Sequence, residues 1–127
     1  MSHPISERIL ILDDDNEMRH MLGLLLTAEG YQITPATNGL EAISLHRQSP
    51  FDVAIIELAM AGNDGFEALI DLRRTESPPK FIAIARTSWT PAEVYLKMAK
   101  QLGAHETLSK PFTGNQLLTA VRKVLER

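Results

Sequence analysis

At 127 residues the chain is long enough to bury a core as one domain without staples. Charged residues are 23% and hydrophobic residues 44%, and the net charge of −3 offers no general attraction for nucleic acid or an anionic membrane. The lack of cysteine excludes a disulfide framework, a thiolate nucleophile and a zinc–thiolate site. The four histidines, His3, His20, His46 and His105, have no metal-ligand spacing and read as solvated or packed side chains. Met1–Arg8 lacks the apolar core of a signal peptide, and no apolar run is long enough to span a bilayer. The expectation is a cytoplasmic protein with one domain over 1–127, a core of about 8–125 and no output domain.

Five strand–helix units follow in order. Strand one is about Arg8–Leu12. Helix one, about Glu17–Glu29, places Met18, Met21, Leu22, Leu25 and Leu26 on one face, and Gly30 stops it. Strand two, about Tyr31–Ala36, carries Pro35, which cannot donate to a ladder and so predicts a sheet edge. Helix two spans about Gly39–Gln48. Strand three, Asp52–Ile56, is apolar after its first residue, as a strand covered on both faces should be. The loop Ala59–Gly65 opens helix three, about Phe66–Arg74. Strand four is Phe81–Ala85. Helix four begins at Thr90-Pro91-Ala92-Glu93, read as an N-cap hydroxyl, a proline at the first helical position and a capping-box Glu93, and ends at Gly103. Strand five is about Glu106–Leu108. Helix five, about Gly114–Leu125, aligns Leu117, Leu118, Val121, Val124 and Leu125.

Alternating units of this size predict an α/β fold, a doubly wound parallel sheet with helices on both faces. An edge second strand fits the order 2-1-3-4-5, whose ligand crevice lies between strands one and three. Asp13-Asp14-Asp15 follows strand one, and Glu57 follows the apolar run of strand three. Asp15 or Asn16 can cap helix one; two further carboxylates exceed what a cap needs, and hard oxygens held together suit Mg2+. Lys110, before Pro111, can pair with Glu57 or neutralise a phosphoryl group, and Pro111 allows a cis bond. The set suits phosphoryl transfer, except that Glu57 stands where a nucleophilic Asp is expected.

Four stretches together, ILILDDDNEMR, FDVAIIELAMAGNDG, FIAIA and GAHETLSKPF, make the chain resemble a receiver domain of two-component response regulators, the flavodoxin-like family of the chemotaxis regulator. The resemblance covers essentially the whole chain. It implies that Asp13, Asp14, the acceptor position at Glu57 and the Ala59 carbonyl surround a Mg2+ ion, and that Lys110 contacts the phosphoryl group. Gly62 and Gly65 match the glycines of the loop after the acceptor. It implies signalling partners such as a histidine kinase or an effector supplied in trans, met through the helix 4–strand 5–helix 5 face near Trp89 and Tyr95. A monomer or weak dimer is expected, with no nucleic acid, no membrane and no enzymatic role.

Departures from the family pattern are as informative. Glu57 replaces the phosphoacceptor Asp, Ala85 replaces the Ser or Thr that senses the phosphoryl group, and Thr107 replaces the aromatic switch residue; Ala61 stands where this loop usually has Pro. These changes point to an atypical receiver acting by protein–protein interaction, held in one conformation. Glu57 has less charge than a phosphoryl group and lacks the usual readers. Thr87 is a candidate substitute hydroxyl and Arg86 a candidate cation for the crevice. Asp64 reads as a turn residue before a surrogate acceptor, and Arg122, Lys123 and Arg127 suit a helix C-terminus. One alternative is a phosphorelay receiver phosphorylated at Glu57 or another acid. A second is a haloacid-dehalogenase-like phosphatase using Asp13, Asp15, Thr87 and Lys110, although no acidic metal-ligand pair follows Lys110.

Overall fold

A computed structural model describes residues 6–60, 64–88 and 90–126. The elements are β1 (Arg8–Leu12), α1 (Asn16–Ala28), β2 (Gln32–Ala36), α2 (Gly39–Gln48), β3 (Val53–Glu57), α3 (Asp64–Arg73), β4 (Lys80–Ala85), α4 (Ala92–Gln101), β5 (Glu106–Ser109) and α5 (Gly114–Leu125). The strands form one parallel sheet in the order β2-β1-β3-β4-β5, so Pro35 lies on an edge, as its missing donor requires.

Side chains alternate across the sheet, and the two faces bury different residues. Ile9, Ile11, Val53, Ile55, Ile82 and Ile84 pack with Leu22 and Leu26 of α1 and with Leu117, Val121 and Val124 of α5. On the other face, Leu10, Leu12, Ala54, Ile56, Phe81 and Ala83 meet Ala42, Leu69, Leu72 and Ala99 from α2, α3 and α4. Met21 departs from the expected stripe: it is 44% exposed, at the margin of the α1 face that Leu22 and Leu26 bury. Gly30 adopts φ 96°, the left-handed conformation that ends α1 at low steric cost.

Two caps differ from the sequence reading. α4 starts after Pro91, whose backbone is extended (φ −58°, ψ 141°), and Thr90 does not cap it. The first helical amide, Ala92 N–H, instead donates to Thr87 Oγ1 at 3.0 Å, so Thr87 serves the helix start. The capping box belongs to α5, where Thr113 and Gln116 bond each other's backbone amides at 3.1 and 2.8 Å. α3 also starts earlier than expected, at Asp64, whose carboxylate accepts from Gly39 N–H at 2.7 Å and ties α3 to the start of α2.

Candidate functional site

Backbone pairing just beyond the strands fixes the crevice. Asp13 N–H donates to Ala36 O, Leu58 N–H to Ile84 O at 2.8 Å, and Lys110 N–H to Ala85 O at 2.8 Å. With Leu12 paired to Ile56 between β1 and β3, the C-terminal ends of β1, β3 and β5 are aligned, and Asp13, Glu57 and Lys110 converge although 97 positions separate the first from the last. The peptide bond from Lys110 to Pro111 is cis.

The three side chains form one buried ionic cluster. Lys110 Nζ lies 2.6 Å from Glu57 Oε1 and 3.2 Å from Asp13 Oδ2, with side-chain exposures of 11% for Lys110, 4% for Glu57 and 2% for Asp13. The remaining carboxylate oxygens are also engaged. Asp13 Oδ1 accepts from Asp15 N–H at 3.0 Å, and Glu57 Oε2 accepts from Ala59 N–H at 3.1 Å. Burial alone would lower the Lys110 pKa; the hydrogen bond and charge of Glu57, then Asp13, outweigh it and hold the value above the ordinary 10.5. The ammonium stays charged across the physiological range.

The surroundings are built for close approach. Gly65, at the start of α3, lies so near β3 that a Cβ there would fall 2.0 Å from the Glu57 carbonyl oxygen. Only glycine fits. Arg19 reaches back from α1 to donate to Asp13 O at 2.6 Å and also bonds the Asn16 side chain. Sequence reasoning missed this residue; its place one turn beyond the Asp15 cap was the available signal.

Of the expected site residues, the structure brings together Asp13, Glu57 and Lys110. Asp14 is exposed, and among the described residues no three Asp, Glu or His side chains are grouped to hold a metal ion. Ala59, half-buried, uses its amide on Glu57. Ala85 is fully buried at the end of β4, and Thr107 in β5 is half-buried. Arg86 is exposed and shows no ion pair among the described residues, so it does not supply the crevice cation. Asp64 is committed to Gly39, and Tyr95 packs on Phe66 with ring centroids 6.0 Å apart. Ala61, Gly62 and Trp89 lie outside the described residues.

The sheet order agrees with the comparisons to known proteins. The response regulator receiver domain matches residues 9–122. The chain belongs to the response regulator receiver family. Among relatives of this receiver, the transcriptional regulatory protein CpxR of Escherichia coli (strain K12) is 32% identical over 120 residues, 94% of this chain and 50% of that protein. The chain spans about half the length of the curated relatives it matches. A putative response regulator from Chloroflexus aurantiacus superposes with a TM-score of 0.86 at 26% identity, covering 97% of this chain and 100% of that one. The chemotaxis protein CheY4 of Vibrio cholerae gives 0.83 at 27% identity, covering 94% and 99%.

Receiver domains are generally non-enzymatic parts of two-component signalling that meet histidine kinases and effectors, and this membership sets aside the dehalogenase-like phosphatase reading. They typically bind Mg2+ at the phosphorylation site. Asp13 and Glu57 lie in this crevice, each with one carboxylate oxygen on Lys110 and the other on a backbone amide. No helix among the described residues is long and apolar enough to cross a membrane.

Proposed function

We propose that this receiver works through protein–protein contact in a single conformation, without the usual phosphoryl-driven switch. The observation that carries the proposal is Glu57, standing at the acceptor position with its carboxylate tied to Lys110 at 2.6 Å and to the Ala59 amide. Its extra methylene shifts the nucleophilic oxygen from the place an Asp would put it, and a misplacement of about 1 Å can cost on the order of 100-fold in rate. Asp13 and Lys110 keep the family's positions and here serve to hold Glu57 in place.

The response side supports the same reading. Ala85 has no hydroxyl to move toward a phosphoryl oxygen, and Thr87, two residues on, is occupied at the start of α4. Thr107 lacks the bulk to report a change by swinging between buried and exposed positions. A histidine kinase or an effector is then a binding partner rather than a phosphate donor or a phosphate-gated target. The α4–β5–α5 face is the candidate contact, where Val94 and Met98 of α4 are 44% and 46% exposed.

Two mass and NMR measurements test this. Incubation with Mg2+ and a small-molecule phosphodonor is expected to add no phosphate mass to the wild type. In Glu57→Asp, even if labelling returns, the amide shifts of α4 and β5 are expected to stay in place, because Ala85 and Thr107 remain. Phosphate on the wild type, or α4 and β5 shifts in labelled Glu57→Asp, would sink the proposal.

A further inference from the structure

We infer that Arg73 is a positioning residue for the α4 contact face: from the end of α3 it holds the C-terminal end of α4 and so sets where the exposed side of that helix lies. The inference rests on the proposed reading, in which α4 contributes to a contact surface held in one conformation. The last turn of α4 closes with Ala104 N–H on Ala99 O at 2.9 Å, Gly103 N–H on Lys100 O at 3.2 Å and Leu102 N–H on Met98 O at 3.0 Å. Gly103 allows that closure with φ 116°. The carbonyl of Leu102, the residue that caps the helix, lies outside this set, and Arg73 Nη1 donates to it at 2.9 Å.

Arg73 also stands in the last turn of α3, so one guanidinium meets the negative ends of two helix dipoles. No carboxylate competes for it: among the described residues Arg73 shows no ion pair. Its side chain passes over Gly103, where a Cβ would lie 3.0 Å from Arg73 Cδ and Nε. Glycine at 103 therefore supplies the turn and leaves room for the arginine. Nearer its middle, α4 meets α3 again, where Tyr95 packs on Phe66 with ring centroids 6.0 Å apart. Thr87 holds the Ala92 amide at the other end. Val94 and Met98, 44% and 46% exposed, project from this same helix, so a shift of its end displaces them. A charge-assisted hydrogen bond from an exposed arginine is a modest tie, and its loss falls on the helix rather than on the whole fold.

The test compares Arg73→Met and Arg73→Lys with the wild type by amide hydrogen exchange and NMR. Arg73→Met keeps an aliphatic stem and removes the donor; at an exposed position it is expected to fold. Exchange of the Leu102, Gly103 and Ala104 amides should rise about 5- to 10-fold, the effect of losing one such bond. Amides of β1 and β3 and the urea midpoint should change little. Amide shifts should extend along α4 to Val94 and Met98. Arg73→Lys keeps a cation at the two helix ends and should restore most of the protection.

Unchanged α4 exchange in Arg73→Met overturns the inference. A rise shared equally by β1 and β3 also overturns it, because Arg73 would then support the fold as a whole. So does loosening confined to residues 102–104 with no shift at Val94 or Met98, since the helix end would not position the face. Any of these results on a wild type that takes up no phosphate sinks only this inference. Phosphate on the wild type sinks the reading on which it rests.

Discussion

His46 shows how one buried side chain couples pH to stability. It is 2% exposed, and its Nδ1 accepts from Phe51 N–H at 3.1 Å. Its Nε2 lies 2.8 Å from Ser77 O, an acceptor, so the proton belongs on Nε2 and Nδ1 is bare. Burial lowers the His46 pKa from 6.5, the Ser77 hydrogen bond partly offsets this, and the Arg8 guanidinium lowers it further. A proton on Nδ1 would face the Phe51 amide donor. Because the folded pKa lies below the unfolded one, the unfolded chain binds more protons between the two. Stability is therefore full above about pH 6.5, falls as pH drops through the folded pKa, and levels off beneath it. In urea unfolding, this His46 contribution is expected to vanish in His46→Gln, so that the variant is flatter with pH below 6.5 while weaker by about 1–3 kcal/mol at pH 7. An unchanged pH profile in the variant would assign the acid sensitivity elsewhere.

At the scale of elements, the start of α4 separates what a motif suggests from what a helix uses. Thr90 has the spacing of an N-cap, but Pro91 is extended and the helix begins one residue later than that cap would require. Thr87, from the loop after β4, reaches the Ala92 amide instead. Thr87→Val is expected to cost about 1 kcal/mol in denaturant unfolding, the usual loss for a helix cap. Thr90→Ala should stay within about 0.5 kcal/mol of wild type. The reverse ranking would restore Thr90 as the cap. The α5 capping box at Thr113 and Gln116 was equally visible in the sequence as a Thr-x-x-Gln pattern. Pattern alone does not say which hydroxyl the chain geometry will deliver to the amide.

At the scale of the molecule, the sheet is common to both apolar layers. Ile9 packs in the α1–α5 layer and Leu69 in the α2–α4 layer, both fully buried. Ile9→Ala and Leu69→Ala are each expected to cost about 2–5 kcal/mol by lost burial and an added cavity. Both should lower one shared transition, with far- and near-ultraviolet circular dichroism coincident in urea. Two separated transitions in either variant would mean that the layers unfold independently. The sheet that unites them also brings the ends of β1, β3 and β5 to one crevice, so stability of the layers and geometry of the site are linked.

The sequence by itself determined the five strand–helix units, the edge position of β2 and the candidate acids and lysine. Local chemistry suffices for these: apolar runs of strand length, helical periodicity, and a proline that cannot donate. It also showed that Glu57, Ala85 and Thr107 depart from the receiver pattern. Only the tertiary structure decided which oxygens Lys110 occupies, that Asp14 stays outside the cluster, and that Thr87 rather than Thr90 serves α4. It likewise made His46 a buried node linking α2 to the chain beyond α3. These outcomes depend on strand register and loop path, which set distances of a few ångströms between residues far apart in the chain. Hydrophobic pattern fixes which faces are buried, while hydrogen bonds and ion pairs are decided by where the packed backbone leaves each side chain.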